Sequence, residues 1–151
     1  MPTLSQNVRF ISSAEPPPEE PPPGEFLAWF LKEDLSKRGW EVSAPYNWRD
    51  RGWCLKCCQP PCALDVIIVQ MVAGPEWLVQ ICPRHVPGWF ERVFLRSTMS
   101  ATHEEVHAAA RDVHRVLSAR GFADFRWCWN ADPAHGSNTA EPCEWHEPFH
   151  G

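Results

Sequence analysis

Apolar and polar positions alternate most clearly between Trp53 and Cys82. This stretch holds Trp53-Cys54-Leu55, then the most apolar run of the chain, Leu64 to Val72, then Trp77-Leu78-Val79-Gln80-Ile81. Gln59-Pro60-Pro61 and Ala73-Gly74-Pro75 break it twice. The pattern predicts three consecutive antiparallel strands. In the middle one both alternating sets are apolar, so it is expected to be buried on both faces.

Helical spacing appears twice. From Glu25 to Arg38, residues Leu27, Phe30, Leu31 and Leu35 form one stripe, with Phe26 at its edge and Gly39 where a left-handed C-cap belongs. Trp29 points away from that stripe, where either a partner or the N-terminal arm would cover it. From Ser100 to Arg120 the stripe is Val106, Ala110, Val113 and Leu117. Thr102 and Glu105 have capping-box spacing, and Gly121 closes the far end. A shorter helix is predicted over 87–96, around Trp89 and Phe90. Trp40 to Ser43 and Phe122 to Trp129 read as further strands, the latter with Phe125, Trp127 and Trp129 on one face.

The expected fold is α+β: a mostly antiparallel five- to six-stranded sheet with two main helices packed on one face. The other face is expected to be rich in tryptophan and partly exposed. Residues 25–129 form the single domain of this reading. Residues 1–24 read as a flexible arm with a short edge strand over 8–12. The run Glu15-Pro-Pro-Pro-Glu-Glu-Pro-Pro-Pro23 in that arm favours extended polyproline II. Residues 130–151, rich in Pro, Gly, Ser, Asn and His, read as a flexible acidic tail.

Charge changes this picture little. Of the net −5, residues 1–24 carry −2 (Arg9 against Glu15, Glu19 and Glu20) and residues 130–151 carry −4 (Asp132, Glu141, Glu144 and Glu147), leaving the middle near neutral. With no basic stripe, nucleic acid is not an expected partner. No stretch approaches the ~20 apolar residues that a membrane-spanning helix needs. The N-terminus lacks a charged start followed by an apolar run, so the expected location is cytoplasmic. Seven cysteines in that setting point to thiols or metal ligands rather than disulfides.

Three groups of residues could carry chemistry. Cys54-x-x-Cys57 with Cys82-Pro83-x-His85 has the paired spacing of a tetrahedral zinc site. The competing reading makes Cys57 a small hydrophobe on a strand face. His103-Glu104-Glu105-Val106-His107 matches H-E-x-x-H, which on a helix can hold a peptidase zinc. The simpler reading assigns the two glutamates to the positive helix end, with His103, His107 and His114 bordering the core and stacking on tryptophans. Thiol nucleophiles are the third group, yet no cysteine sits on a strand-to-helix elbow or a glycine-rich loop.

One arrangement resembles a known group. A helix ending in Arg38-Gly39, then Glu41-Val42, then Trp48-Arg49-Asp50-Arg51-Gly52-Trp53, and a later strand opening with Trp77, resembles small uncharacterised bacterial α+β proteins with an "rG-x-V…E-D-W-G-W" core. The resemblance spans roughly residues 26–129. Asn47 stands where that core has an acidic pair, and Arg49-Asp50-Arg51 separates the tryptophans. Some proteins of this build are immunity proteins or other inhibitors, and the resemblance implies no catalytic residues. The expected function is therefore that of a non-enzymatic protein that binds a protein partner through Trp29, Trp48, Trp53 and Trp89, without a cofactor. The alternatives are a zinc-stabilised module built on Cys54, Cys57, Cys82 and His85, and an H-E-x-x-H metallopeptidase.

Overall fold

The structure, a computed structural model, describes residues 4–12, 22–60, 62–71, 75–84, 102–133 and 138–144. The elements are β1 (Gln6–Ile11), α1 (Glu25–Lys37), β2 (Glu41–Val42), β3 (Tyr46–Trp48), β4 (Gly52–Gln59), β5 (Cys62–Gln70), β6 (Glu76–Pro83), α2 (His103–Ala119) and β7 (Ala123–Trp129). All strands join one antiparallel sheet in the order β2-β4-β5-β6-β1-β7, and β3 pairs with β4 on the same side as β2. The fold is α+β, as the periodicities predict, with one strand more than expected. The helix expected over 87–96, with Trp89, lies outside the described residues, as does His85.

Both helices stop for the same reason. Arg38-Gly39-Trp40 and Arg120-Gly121-Phe122 place glycines at φ +95 and +88, a region that costs glycine nothing. Trp40 N–H then donates to Leu35 O and Gly39 N–H to Ser36 O; Phe122 N–H donates to Leu117 O and Gly121 N–H to Ser118 O. These are Schellman closures, and each turns an aromatic residue back toward its own helix. At the start of α2, Thr102 Oγ accepts from Glu105 N–H at 3.2 Å and the Glu105 carboxylate accepts from Thr102 N–H at 3.0 Å, completing the capping box.

Strand alternation sorts the sheet residues into two sets. Leu55, Cys57, Leu64, Val66, Ile68, Trp77, Val79, Ile81, Val8, Phe10 and Trp127 join one buried cluster with Leu27, Leu31 and Leu35 of α1 and Val106, Val113 and Leu117 of α2. The other set is mixed. Cys54, Ile67, Gln80, Asn7 and Cys128 share one row of cross-strand partners, and Lys56, Asp65 and Cys82 the next.

Four expectations change here. Residues 6–11 are an interior strand, with Val8 facing Val79 on one side and Trp127 on the other, so the N-terminal segment belongs to the domain. Residues 138–144 are docked, not loose: Thr139 bridges to Trp127, and Trp129 Nε1 donates to Cys143 O at 2.7 Å. In β5 only one face is fully buried, while Ile67 and Val69 on the other are half-buried. Four of the strand tryptophans turn toward the core rather than away from it, and Trp48 of β3 does not. Trp77 and Trp127 are fully buried, and Trp53 and Trp129 pack against the same cluster.

Candidate functional site

Of the residues expected to meet a partner, Trp29, Trp48 and Trp53 do not share one surface. Trp53 sits on the core side of β4, opposite Ile68, with its Nε1 donating to Pro22 O at 2.9 Å. Trp48, paired with Gly52, falls into the other alternating set at the β3–β4 turn. Arg51 N–H donates to Trp48 O across that turn, and Arg49 and Asp50 adopt φ +52 and +57. Asn47 Oδ1 accepts from Asp50 N–H at 2.8 Å and steadies the strained pair, while the Arg49 guanidinium covers the Trp48 ring at 4.9 Å. Trp48 is half-buried.

Trp29 is different. It is 49 % exposed and lies on the outer side of α1. With Phe26 and Phe30 it lines a shallow groove of about 720 Å³ rimmed by Lys32, Glu33 and Lys37. The floor is anchored. Phe30 stacks on Phe122 at 5.7 Å and 21°, Phe26 meets Trp77 edge-on at 5.8 Å, and the Arg120 guanidinium covers Phe30 at 4.9 Å. Asp34 holds that guanidinium through two hydrogen bonds of 2.9 and 3.1 Å, and Arg120 in turn lowers the Asp34 carboxyl below the ordinary carboxylate value. An aromatic side chain held in water on such a rigid base is what an interface anchor requires. Spacing assigned Phe30 to the core stripe. Its half-buried state comes from its position beside Phe26 and Trp29 at the border of that stripe, a signal already present in the helical register.

The thiols do not form a chelating set. β4 pairs with β5 residue for residue from Gly52↔Val69 to Gln59↔Cys62, so it has no bulge. Side chains three residues apart on such a strand point to opposite faces. Cys57 lies in the core cluster, while Cys54 falls on the other face in the row next to Cys82. Among the described residues, no group of three or more His, Cys, Asp or Glu side chains could hold a metal. Burial pushes the Cys54 thiol up to about 11 and those of Cys57, Cys62 and Cys82 up to about 12. With no metal beside them, these groups are thiols at neutral pH, the form that is not the nucleophile.

The second face carries a small polar cluster around Cys54. Asp65 lies 3.6 Å from Arg84 Nε, and its carboxyl is raised because burial outweighs that cation. Tyr46, 39 % exposed at the sheet edge, contacts Cys54 through its hydroxyl, and Lys56 lies over its ring at 5.5 Å.

The histidines of α2 border the core. His114 meets Trp127 edge-on at 5.9 Å and Phe125 at 4.6 Å, and its Nδ1 accepts from Trp127 Nε1 at 3.1 Å. His107 and His114 face a polar cleft of about 430 Å³ with Arg111, Arg115, Glu141 and Glu144. The H-E-x-x-H glutamate, Glu104, is exposed in the first turn of α2, and Glu105 is the capping-box residue. No helix among the described residues is long and apolar enough to cross a membrane.

No protein-family model, curated protein or solved structure matches this chain.

Proposed function

We propose that this is a non-enzymatic protein that binds a protein partner through the outer side of α1. The observation that carries the reading is Trp29: a large apolar ring held half in water, beside Phe26 and Phe30, over a packed base. The charged rim of Lys32, Glu33 and Lys37 supplies polar contacts around the apolar centre, the usual anatomy of a protein interface. In its narrower form the protein is an inhibitor or immunity protein, and that form rests on the resemblance of residues 26–129. Trp48 and Trp53 are no longer part of the proposed contact, because strand alternation sends them to different faces.

Affinity capture with the full chain tests the reading. Wild type should retain a stoichiometric protein partner. Trp29→Ala should weaken that complex by about 2 kcal/mol or more, roughly thirtyfold in Kd. The same substitution should change folding stability by no more than about 0.5 kcal/mol, because the ring is exposed. Trp48→Ala should bind as wild type. A partner held equally well by Trp29→Ala would refute the assignment of the contact to α1.

A further inference from the structure

The groove on α1 and the proline run that precedes it in sequence are complementary in three respects. The first is surface chemistry. Phe26, Trp29 and Phe30 line the outer side of α1 with aromatic rings. Residues 15–20 read Glu-Pro-Pro-Pro-Glu-Glu. Proline rings on aromatic faces are a recurring mode of peptide recognition. A polyproline II segment is ordered before it binds, and its carbonyls have no internal partners.

The second respect is charge. On the rim, Lys37 is paired with Glu33 at 3.4 Å, while Lys32 pairs with no acid among the described residues. Residues 15–20 carry three carboxylates, Glu15, Glu19 and Glu20. The third is length. The groove follows α1 from Phe26 to Lys37, a rise of about 17 Å. Residues 15–20 in polyproline II span about 16 Å.

The run cannot lie along its own groove. Ser12 N–H donates to Pro75 O at 3.1 Å, and Pro22 O accepts from Trp53 Nε1 at 2.9 Å, so the chain is held on both sides of the run. The steps from residue 12 to residue 22 cover at most about 33 Å. Their base, from β1 across β6 and β5 to β4, takes up about 14 Å of it. A chain of that length on that base rises about 15 Å at most, and at a single point. A groove of about 17 Å that begins at Phe26 stays beyond it. A second copy meets no such limit. The run leads directly into α1, so run and groove adjoin in every copy. A two-fold axis beside α1 then sets each run against the other copy's groove, an isologous contact.

We propose that the occupant of the α1 groove is residues 15–20 of a second copy, so that two copies exchange proline runs. This rests on the reading of α1 as the docking face and names what docks there. The partner retained in affinity capture is then an untagged copy of the same chain. Trp29 and its neighbours receive the prolines, and Lys32 meets the carboxylates.

Sedimentation equilibrium of the full chain tests this. Wild type should fit a monomer–dimer equilibrium. Trp29→Ala should weaken the dimer about thirtyfold or more. A run variant, Pro16→Ser with Pro17→Ser and Pro18→Ser, should weaken it too, as should Lys32→Glu; none of these positions belongs to the buried cluster. An equal mixture of Trp29→Ala with the run variant separates exchange between copies from any effect within one. It restores one contact, the intact run of the first in the intact groove of the second. The mixture should form dimer at concentrations where neither variant does. A dimer unaffected by the run variant, or a mixture no more associated than its components, would overturn the proposal. So would a wild type that stays monomeric. If Trp29→Ala then still releases a different protein in affinity capture, α1 remains the docking face and only the second copy is excluded.

Discussion

Replacing Gly52 by alanine should cost about 3 kcal/mol or more of folding stability. Gly52 opens β4 opposite Val69, and its Cα passes unusually close to the next strand. A Cβ at this position would lie 2.0 Å from the Ile68 carbonyl oxygen, 3.0 Å from its carbon and 3.1 Å from Val69 Cγ2. The first two are backbone atoms of β5, which is paired on both sides by β4 and β6. Unlike a side chain, they cannot rotate out of the way. Relief requires β5 to shift, which disturbs the row Trp53↔Ile68↔Val79 in the core. The control is Gly121→Ala, where nothing lies within 4 Å and only the positive φ is penalised. There the loss should be about 1 kcal/mol. Denaturant midpoints of the two variants settle the comparison, and equal losses would contradict the close approach of β4 and β5.

The second large effect is expected at Arg9. It lies on β1, with Nε and Nη2 each 2.7 Å from a different oxygen of Asp132, and Nη1 3.1 Å from Glu76 Oε1. Arg126 also binds Glu76, so four charges tie β1, β6, β7 and the chain beyond β7 together. The Arg9 side chain is 13 % exposed, with Glu76 at 21 % and Asp132 at 29 %. Removing one partner of a fully buried pair costs about 3–5 kcal/mol, whereas fully exposed pairs contribute less than about 1. The intermediate burial here places Arg9→Ala at about 2–3 kcal/mol. Arg9→Lys keeps the charge but loses the fork that holds both Asp132 oxygens, and should recover less than half of that. Thermal or denaturant unfolding measures both, and a loss below about 0.5 kcal/mol for Arg9→Ala would mean that solvent screens the network.

The helices were legible because their signals are local. Arg38-Gly39-Trp40 and Arg120-Gly121-Phe122 close them, and Thr102 with Glu105 opens the second. The three strands between Trp53 and Cys82 were legible from alternation and two proline-marked breaks. β1 was not. Val8 and Phe10 announce a strand, but nothing local says that its partners are Val79 and Trp127, which are distant in sequence. The docking of residues 138–144 was hidden for a related reason. Its attachment uses backbone carbonyls that every sequence has, received by Trp129 and Gln6 from elsewhere in the chain.

The Cys-x-x-Cys spacing illustrates the opposite failure. It is visible as a motif, yet the strand that carries it sends Cys54 and Cys57 to opposite faces. The same alternation, applied to the motif itself, would have separated the two thiols in advance. It also divides Trp48 from Trp53, leaving α1 as the helix face with a tryptophan held half in water.

Site-specific photo-crosslinking in cells that express the protein tests the proposed docking face most directly. A photoreactive side chain would replace Glu33, on the rim of the α1 groove, or Lys56, on the second face of the sheet. The account predicts one defined protein adduct from position 33, none from position 56, and loss of the first when Trp29→Ala is added. An adduct from position 56 alone, or one from position 33 that survives Trp29→Ala unchanged, would contradict it.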